Sequence, residues 1–313
     1  MRSLINPKKD EIVVMKPRVS VGICVRNCAD YIQEAIESIV AQDFSHELME
    51  LIVVDGYSED KTLSILKENL NKSDLKYKIF YENEGLGRAR QMVVDDAVTD
   101  YIVWVDGDMI ISKDFVKTQV EFMDNNPKVG IAKGKYGLAP GANLIATLEI
   151  YSRAASKMVD FNAKETSRFK SLGTSGCIYR VKAIRQAGGF DENIKGYGED
   201  LDAEIRVRDA GWLLFMIDVT YRDYERHGLK ARGLWLKYLR RGYDMHHFAH
   251  KNRGVVSLRK MLPPAAFLGG LFHSVTVYKL THQKAAFLLP IQCALKNTAW
   301  CLGFVRSHLD SGM

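Results

Sequence analysis

Asp106, Gly107 and Asp108 stand directly after the apolar run YIVWV (101–105). Carboxylates at the end of a hydrophobic strand are costly unless something neutralises them. Their oxygens suit a hard divalent cation, Mn2+ or Mg2+, and the glycine between them lets the backbone turn and a ligand approach closely. Read locally, the same three residues also make a solvated Asp-Gly turn. A second acidic group, Glu199-Asp200, opens a helical pattern after GYG, with Asp202 and Glu204 following. A carboxylate so placed is a candidate general base for a hydroxyl. The helix dipole keeps it ionised but weakens it as a base, and burial near an anionic ligand would raise its proton affinity again. The plainer reading is a charged first turn.

Asp55 ends the run LIVVD (51–55), where an acid can accept a hydrogen bond from a base or a ribose, or simply begin a helix. NEGLGRAR (83–90) nearly spells a dinucleotide-binding fingerprint, but Arg90 occupies the third glycine position, so the helix–strand packing that this glycine permits fails. Arg88 and Arg90 near a helix start suit a phosphate or carboxylate partner, or are surface charge. His227, in YERHGLK, is a candidate metal ligand, although a lone histidine is more often structural or exposed. His246, His247 and His250 cluster, with 246 and 250 on one helical face. No H-E-x-x-H spacing is present, which favours a solvated or headgroup-facing patch over a metal site.

The elements that must position these residues alternate. RVSVGICV (18–25), LIVVD (51–55), YKIFYE (77–82) and YIVWVD (101–106) read as short buried strands. Between them, 29–42 puts Ile32, Ala35, Ile36, Ile39 and Val40 on one helical face, Ser58 offers a helix N-cap, and 86–98 forms a third helix. Such alternation predicts an α/β fold with a mostly parallel sheet covered on both faces. Ligands bind beyond the carboxyl ends of such strands, which singles out Arg26, Asn27, Asp55, Glu82, Asn83, Asp106 and Asp108. Further on, 172–180 reads as a loop entering a strand, 181–187 and 199–210 as helices, and WLLFMI (212–217) as another strand.

The composition is that of a globular protein: 313 residues, 47% hydrophobic and 26% charged, which disfavours disorder and fibrous repeats. A net charge of +6 is too weak a basic excess to imply nucleic acid. Mean hydropathy of -0.16 excludes a many-pass membrane protein. Five cysteines without a Cys-x-x-Cys pair argue for reduced, cytosol-facing thiols, and the N-terminal residues lack the pattern of a secretory signal. From Arg226 to Lys260 the chain is dense in Lys and Arg, with Asp244 as the only acid. Apolar stretches follow at 261–272 and 285–295, each interrupted by proline and shorter than the ~20 residues a spanning helix needs. Basic residues followed by such segments suit a C-terminal helical region lying on an anionic membrane surface, or a helical layer packed on the rest of the chain.

In order, the segments VSVGICVRN, ESIVAQ, LIVVDGYSEDKT, NEGLGRARQ, VWVDGDM, SGCIYRVKAIRQAGGFDE and GYGEDLDAEIRVRDAGW resemble glycosyltransferase family 2 over residues 18–230. The resemblance implies a Rossmann-like sheet of glycosyltransferase A type at 18–230, after an N-terminal extension (1–17) and before a basic, amphipathic helical region (231–313). It implies inverting, metal-dependent sugar transfer from a UDP- or GDP-sugar to an acceptor hydroxyl, and the basic, apolar C-terminal residues point to a glycan or lipid-linked acceptor and a peripheral place on the cytosolic face of the membrane. Carried over residue by residue, Asp55 matches the acid that contacts the nucleobase, Arg90 the arginine of the donor site, and Asp106 and Asp108 the Asp-x-Asp pair on ribose and metal. Glu199 and Asp200 match the catalytic pair with Asp200 as base, and His227 falls where a histidine completes the metal site; Asn27 joins the nucleotide-sugar contacts by its position after the first strand.

The chain departs from common members in VDGYS, which replaces a double-aspartate run, and in lacking the Q-x-x-R-W motif of processive synthases, with LRRGY (239–243) in that region. That argues for transfer of single sugars. A haloacid-dehalogenase-like phosphatase also uses Asp-x-Asp after a strand, but Ile110 stands where it needs threonine or valine. A sugar-phosphate nucleotidyltransferase would need a glycine-rich loop where ICVRNCA (23–29) stands, and the presence of Asp106, Asp108 and Asp200 argues against an inactive membrane-bound scaffold.

Overall fold

The computed structural model describes residues 16–158, 171–223, 229–252 and 258–311. His227 lies outside the described residues. An eight-stranded sheet runs in the order β3-β2-β1-β4-β7-β6-β8-β5. Strands β1 (Val19–Val25), β2 (Met49–Asp55), β3 (Lys76–Tyr81) and β4 (Tyr101–Trp104) run parallel to one another, as the alternating pattern predicts. β7 (Cys177–Arg180) enters antiparallel between β4 and β6 (Val129–Tyr136), and β5 (Met109–Ile111) is antiparallel to β8 (Leu213–Asp223) at the far edge. The sheet is therefore mixed. β8 is longer than the WLLFMI run because it pairs first with β6, through register shifts, and then with β5.

Side-chain alternation divides the core into two layers. Met49, Leu51, Val53, Tyr101 and Val103 point to one face, under α1 (Ile32–Val40), α2 (Thr62–Leu70), α4 (Phe115–Asn125) and α5 (Leu144–Met158). Ile52, Val54, Ile102 and Trp104 point to the other, under α3 (Leu86–Asp96), α6 (Val181–Gln186) and α7 (Glu199–Asp209). Gly22 sits in β1 because a Cβ there would lie 2.8 Å from Val93 and 2.9 Å from Trp104.

α8 (Ala231–Lys251) begins where the composition changes, and α9 (Leu258–Met261), α10 (Pro263–Thr281) and α11 (Leu289–Asp310) complete the C-terminal layer. The prolines of the apolar stretches stand in the first turns of α10 and α11, where no intrahelical N–H is lost. No helix among the described residues is long and apolar enough to cross a membrane. α8 and α11 touch backbone to backbone, since a Cβ on Gly242 or Gly303 would meet the opposing carbonyl at 1.9 Å.

A buried charge cluster joins this layer to α5. Glu149, fully buried, accepts from Lys296 Nζ at 2.9 Å and from the Tyr238 hydroxyl at 2.9 Å, with Lys237 Nζ 3.5 Å away. Lys296 also donates to Ser152 Oγ at 2.5 Å. Burial alone would raise the Glu149 pKa, but the charges of Lys296, Lys237 and Arg153 outweigh it and hold the carboxyl well below the usual range. Removing one member strands a buried charge. Lys296→Ala is expected to lower stability by about 3–5 kcal/mol in denaturant melts. Because the folded pKa of Glu149 is depressed, its contribution is full above the unfolded value of 4.5 and is lost as pH falls below it. Glu149→Gln should therefore flatten the acid limb of the stability curve; an unchanged limb would assign that limb to other carboxylates.

Candidate functional site

The carboxyl ends of β1, β2, β3 and β4 converge on one edge of the sheet, and most of the residues singled out above lie there. β2 ends at Asp55, fully buried, whose carboxylate accepts from Ser58 N at 2.9 Å and Ser58 Oγ at 2.6 Å. Ser58 is thus not the N-cap of α2, which starts at Thr62. Its hydroxyl instead ties Asp55 to the β1–α1 loop, where Asn27 N donates to Ser58 Oγ at 2.9 Å and Asn27 Oδ1 accepts from Glu59 N at 2.9 Å. Asn27 reaches this position with φ +49, which asparagine tolerates better than most residues. Beside Asp55 the exposed rings of Tyr57 and Tyr81 lie 5.8 Å apart, an aromatic shelf that no sequence motif announced.

After β4 the chain leaves the centre of the sheet for its far edge, and Asp106-Gly107-Asp108 forms the turn, closed by Met109 N donating to Asp106 O at 3.0 Å. Gly107 sits in close packing, since a Cβ there would lie 3.0 Å from Val25 and 3.1 Å from Cys28 Sγ and would make those side chains shift. Both aspartates are partly exposed at this edge. Asp106 accepts from Ser175 Oγ, and its Oδ1 lies 4.0 Å from Arg90 Nη2.

Arg90 connects this turn to the second acidic group. It is 6% exposed on α3, with its guanidinium 5.9 Å from the Trp104 ring centroid, and its Nη1 donates to Glu199 Oε1. Glu199 is itself 2% exposed, at the start of α7, where Gly198 supplies a left-handed backbone with φ +112. Asp200 follows, half-buried, its Oδ1 accepting from Leu201 N at 2.8 Å. The Asp-x-Asp turn and the Glu199-Asp200 pair, separated by more than ninety residues in the chain, are thus joined through one buried cation.

The fingerprint-like segment has a different role. Glu84 N and Gly85 N donate to Glu82, Leu86 N donates to Lys195 O at 3.0 Å, and Gly87 N to Ile194 O at 3.2 Å. The amides of this helix start already have protein partners. Its glycines admit the backbone of 191–195, which a Cβ on Gly87 would meet at 2.3 Å. Arg88 pairs with Glu192 at 2.7 Å on the surface, so a carboxylate rather than a phosphate is its partner.

Behind Asp106 the loop before β7 is held by buried charges. Glu204, fully buried on α7, accepts from Leu172 N at 2.9 Å and Gly173 N at 2.6 Å. Lys133, fully buried on β6, donates to Ser175 O at 2.5 Å. Lys133 and Ser175 carried no motif; the one signal for Lys133 is a lysine inside the apolar strand pattern VGIAKGKY. Burial, and then the nearby charge of Asp200, push the Glu204 carboxyl up to about 7, against the lowering effect of its Leu172 N–H partner.

The donor set fits a hard divalent cation. Around the turn, burial first and then the acids keep two cysteines as thiols: Cys28, near Asp60, Asp108 and Asp55, is pushed up to about 12, and so is Cys24, near Asp106 and Glu82. The edge is therefore rich in carboxylate oxygen with no competing thiolate, which suits Mn2+ or Mg2+ better than a soft metal.

A family model described as glycosyl transferase family 2 matches residues 20–187. Among curated relatives, the poly(ribitol-phosphate) beta-N-acetylglucosaminyltransferase TarS of Staphylococcus aureus is 33% identical over 110 residues, 35% of this chain and 19% of TarS. The putative teichuronic acid biosynthesis glycosyltransferase TuaG of Bacillus subtilis is 36% identical over 110 residues, 34% of this chain and 42% of TuaG. The chain thus matches less than half the length of either relative. Among solved structures, the mannosyltransferase PcManGT from Pyrobaculum calidifontis, in complex with GDP-Man and Mn2+, superposes with a TM-score of 0.63 at 19% identity, covering 95% of this chain and 88% of that one. Staphylococcus aureus TarS 1–349 in complex with UDP-GlcNAc gives 0.53 at 19% identity, covering 95% and 92%. At these identities the likeness is one of fold: a mixed, Rossmann-like sheet of glycosyltransferase A type with a helical C-terminal region.

The raised pKa of Glu204 has a stability signature. Because the folded form holds its proton more tightly than the unfolded one, Glu204 costs stability as pH rises from the ordinary 4.5 through about 7. Urea melts of the native chain across that window are expected to fall more steeply than those of Glu204→Gln. Parallel curves would mean that this carboxyl titrates normally.

Proposed function

This chain belongs to glycosyltransferase family 2, and from that premise we propose that it is an inverting transferase moving single sugars from a nucleoside diphosphate sugar to an acceptor hydroxyl. The observation that carries this reading is the Arg90 bridge, which sets Asp106 beside the Glu199-Asp200 pair at the carboxyl edge of the sheet. A donor at this edge would have its nucleoside end near Asp55, Asn27 and the Tyr57–Tyr81 shelf, and its diphosphate near Arg90 and Asp106.

Asp106 and Asp108 would hold Mn2+ or Mg2+. Such a cation supplies positive charge against the charge that builds on a departing nucleoside diphosphate. Arg90 adds charge of the same sign from the protein side. Its bond to Glu199 fixes the first turn of α7 and so the position of Asp200. Asp200 takes the proton of the acceptor hydroxyl as that oxygen attacks the anomeric carbon from the face opposite the leaving group. A single displacement inverts that carbon and requires no enzyme-bound sugar. On this reading residues 18–230 would form the catalytic region.

GDP-Man and UDP-GlcNAc in the solved relatives support a GDP- or UDP-sugar as donor. The names of TarS and TuaG refer to poly(ribitol-phosphate) and teichuronic acid, which supports a glycan or related polymer as acceptor. Docking on the cytosolic face of a membrane fits the C-terminal layer. α10 packs its small residues inward, Gly270 and Ser274 being buried, and turns Leu268, Leu271, Phe272 and Val275 outward. α11 adds exposed Ile291, Leu295, Leu302, Val305 and Leu309. Arg259, Lys279, Lys284 and Arg306 are exposed on the same layer and suit anionic headgroups.

Release of nucleoside diphosphate from a panel of nucleotide sugars, with Mn2+, Mg2+ or chelator, tests the assignment. Asp200→Asn should bind donor as the native chain does and lose transfer by roughly 10²–10⁴-fold. Asp108→Ala should lose metal-dependent donor binding in calorimetry. Normal turnover in Asp200→Asn would remove it as the base, and unchanged binding in Asp108→Ala would remove the metal role. Flotation with anionic vesicles should carry the native chain upward, and carry the Leu268→Glu/Phe272→Glu variant far less. A native chain that ignores such vesicles would leave the apolar face without this role.

A further inference from the structure

Three imidazoles from two helices meet on the C-terminal layer, away from the sheet edge. His246 and His250 lie one turn apart on α8, and His308 comes from the last turns of α11. His246 Nε2 is 3.1 Å from His250 Nε2 and 3.2 Å from His308 Nδ1, and the ring nitrogens of all three lie within 4.8 Å of one another. A neutral imidazole nitrogen has one N–H or one in-plane lone pair, so a single Nε2 makes one good hydrogen bond and not two. A metal ion resolves the crowding, because it takes one lone pair from each ring. Nitrogens bound tetrahedrally at about 2.0–2.1 Å stand ~3.3 Å apart, close to the two spacings from His246.

The cluster is also built. His246 is 2% exposed and its ring is held edge-on against Phe304, with centroids 5.0 Å apart, while His250 and His308 are exposed. We propose that His246, His250 and His308 form a site for a borderline divalent transition metal of the zinc class, with the remaining coordination position open to solvent. Imidazole-only ligation favours such a metal over Mn2+ or Mg2+, so this site and the carboxylate edge take different ions.

Its place gives it a structural consequence. The other side of α8 supports the segment before Glu199: Asp244 Oδ2 accepts from Tyr197 N at 3.3 Å, and a Cβ on Gly198 would lie 3.2 Å from Phe248. Lys251 pairs with Asp202 of α7 at 2.9 Å. A metal on the histidines clamps α8 to α11 from behind and so fixes the helix on which the start of α7 rests.

The test is titration of the untagged, metal-free full chain with Co2+, followed by Zn2+. The expected result is one Co2+ per chain with the visible absorption of an imidazole-ligated ion, displaced by Zn2+. That absorption should be lost in His308→Ala and in His250→Gln, both at exposed positions, and kept in Asp108→Asn. Binding that survives both histidine variants, or is lost in Asp108→Asn, would overturn the assignment. A direct measurement on the native chain covers the case in which a variant fails to fold. Zn2+ should shift the imidazole 15N resonances of three histidines together, and unshifted resonances at stoichiometric Zn2+ would overturn the proposal.

Discussion

Only 6% of the surface of Arg90 reaches solvent, and its guanidinium is partnered there: Glu199 accepts its hydrogen bond and Asp106 lies 4.0 Å away. A buried charge without partners would cost several kcal/mol, so α3, the turn after β4 and the start of α7 are obliged to stay together. Much else follows from that constraint. Gly85 and Gly87 let the 191–195 backbone close over the start of α3, Gly198 turns the chain into α7, and Gly107 lets the aspartate turn lie against β1. These glycines serve close packing around a charge network and not a phosphate cradle.

The acids behind this network have opposite fates, set by their neighbours. Glu149 is surrounded by lysines, so attraction overcomes the cost of burial and its carboxyl stays ionised. Glu204 is as buried, but its near neighbour of consequence is Asp200, so burial and repulsion act in the same direction and raise it to about 7. The first joins the C-terminal layer to α5, and the second holds the loop that presents Ser175 to Asp106.

The C-terminal layer inverts the pattern of the sheet domain. There the branched and aromatic residues are inside; in α10 Leu268, Leu271, Phe272 and Val275 are outside, and Gly270 and Ser274 are inside beside Val277. Small residues allow backbones to approach closely, as Gly242 and Gly303 do between α8 and α11. An apolar outer face of this kind marks an interaction surface, and exposed lysines and arginines lie beside it.

Local order was legible in the amino-acid sequence because it rests on local periodicity. The apolar runs gave β1 to β4 to within a few residues, and the alternation of strands and helices gave their parallel pairing. The ordered motifs gave the family, and the residues after the strands did converge on one edge. Four matters required the tertiary structure. The antiparallel insertion of β7 depends on pairing between segments far apart in the chain. Ser58 caps no helix because Asp55 and Asn27 compete for it. Lys133 carries no motif, and its partner, the Ser175 carbonyl, comes from a segment 42 positions away. His308, lone in its own segment, meets His246 across 62 positions. Periodicity determines which face of an element is apolar, but the partner of a buried charge or ring is chosen by packing between elements, and no local pattern carries that information.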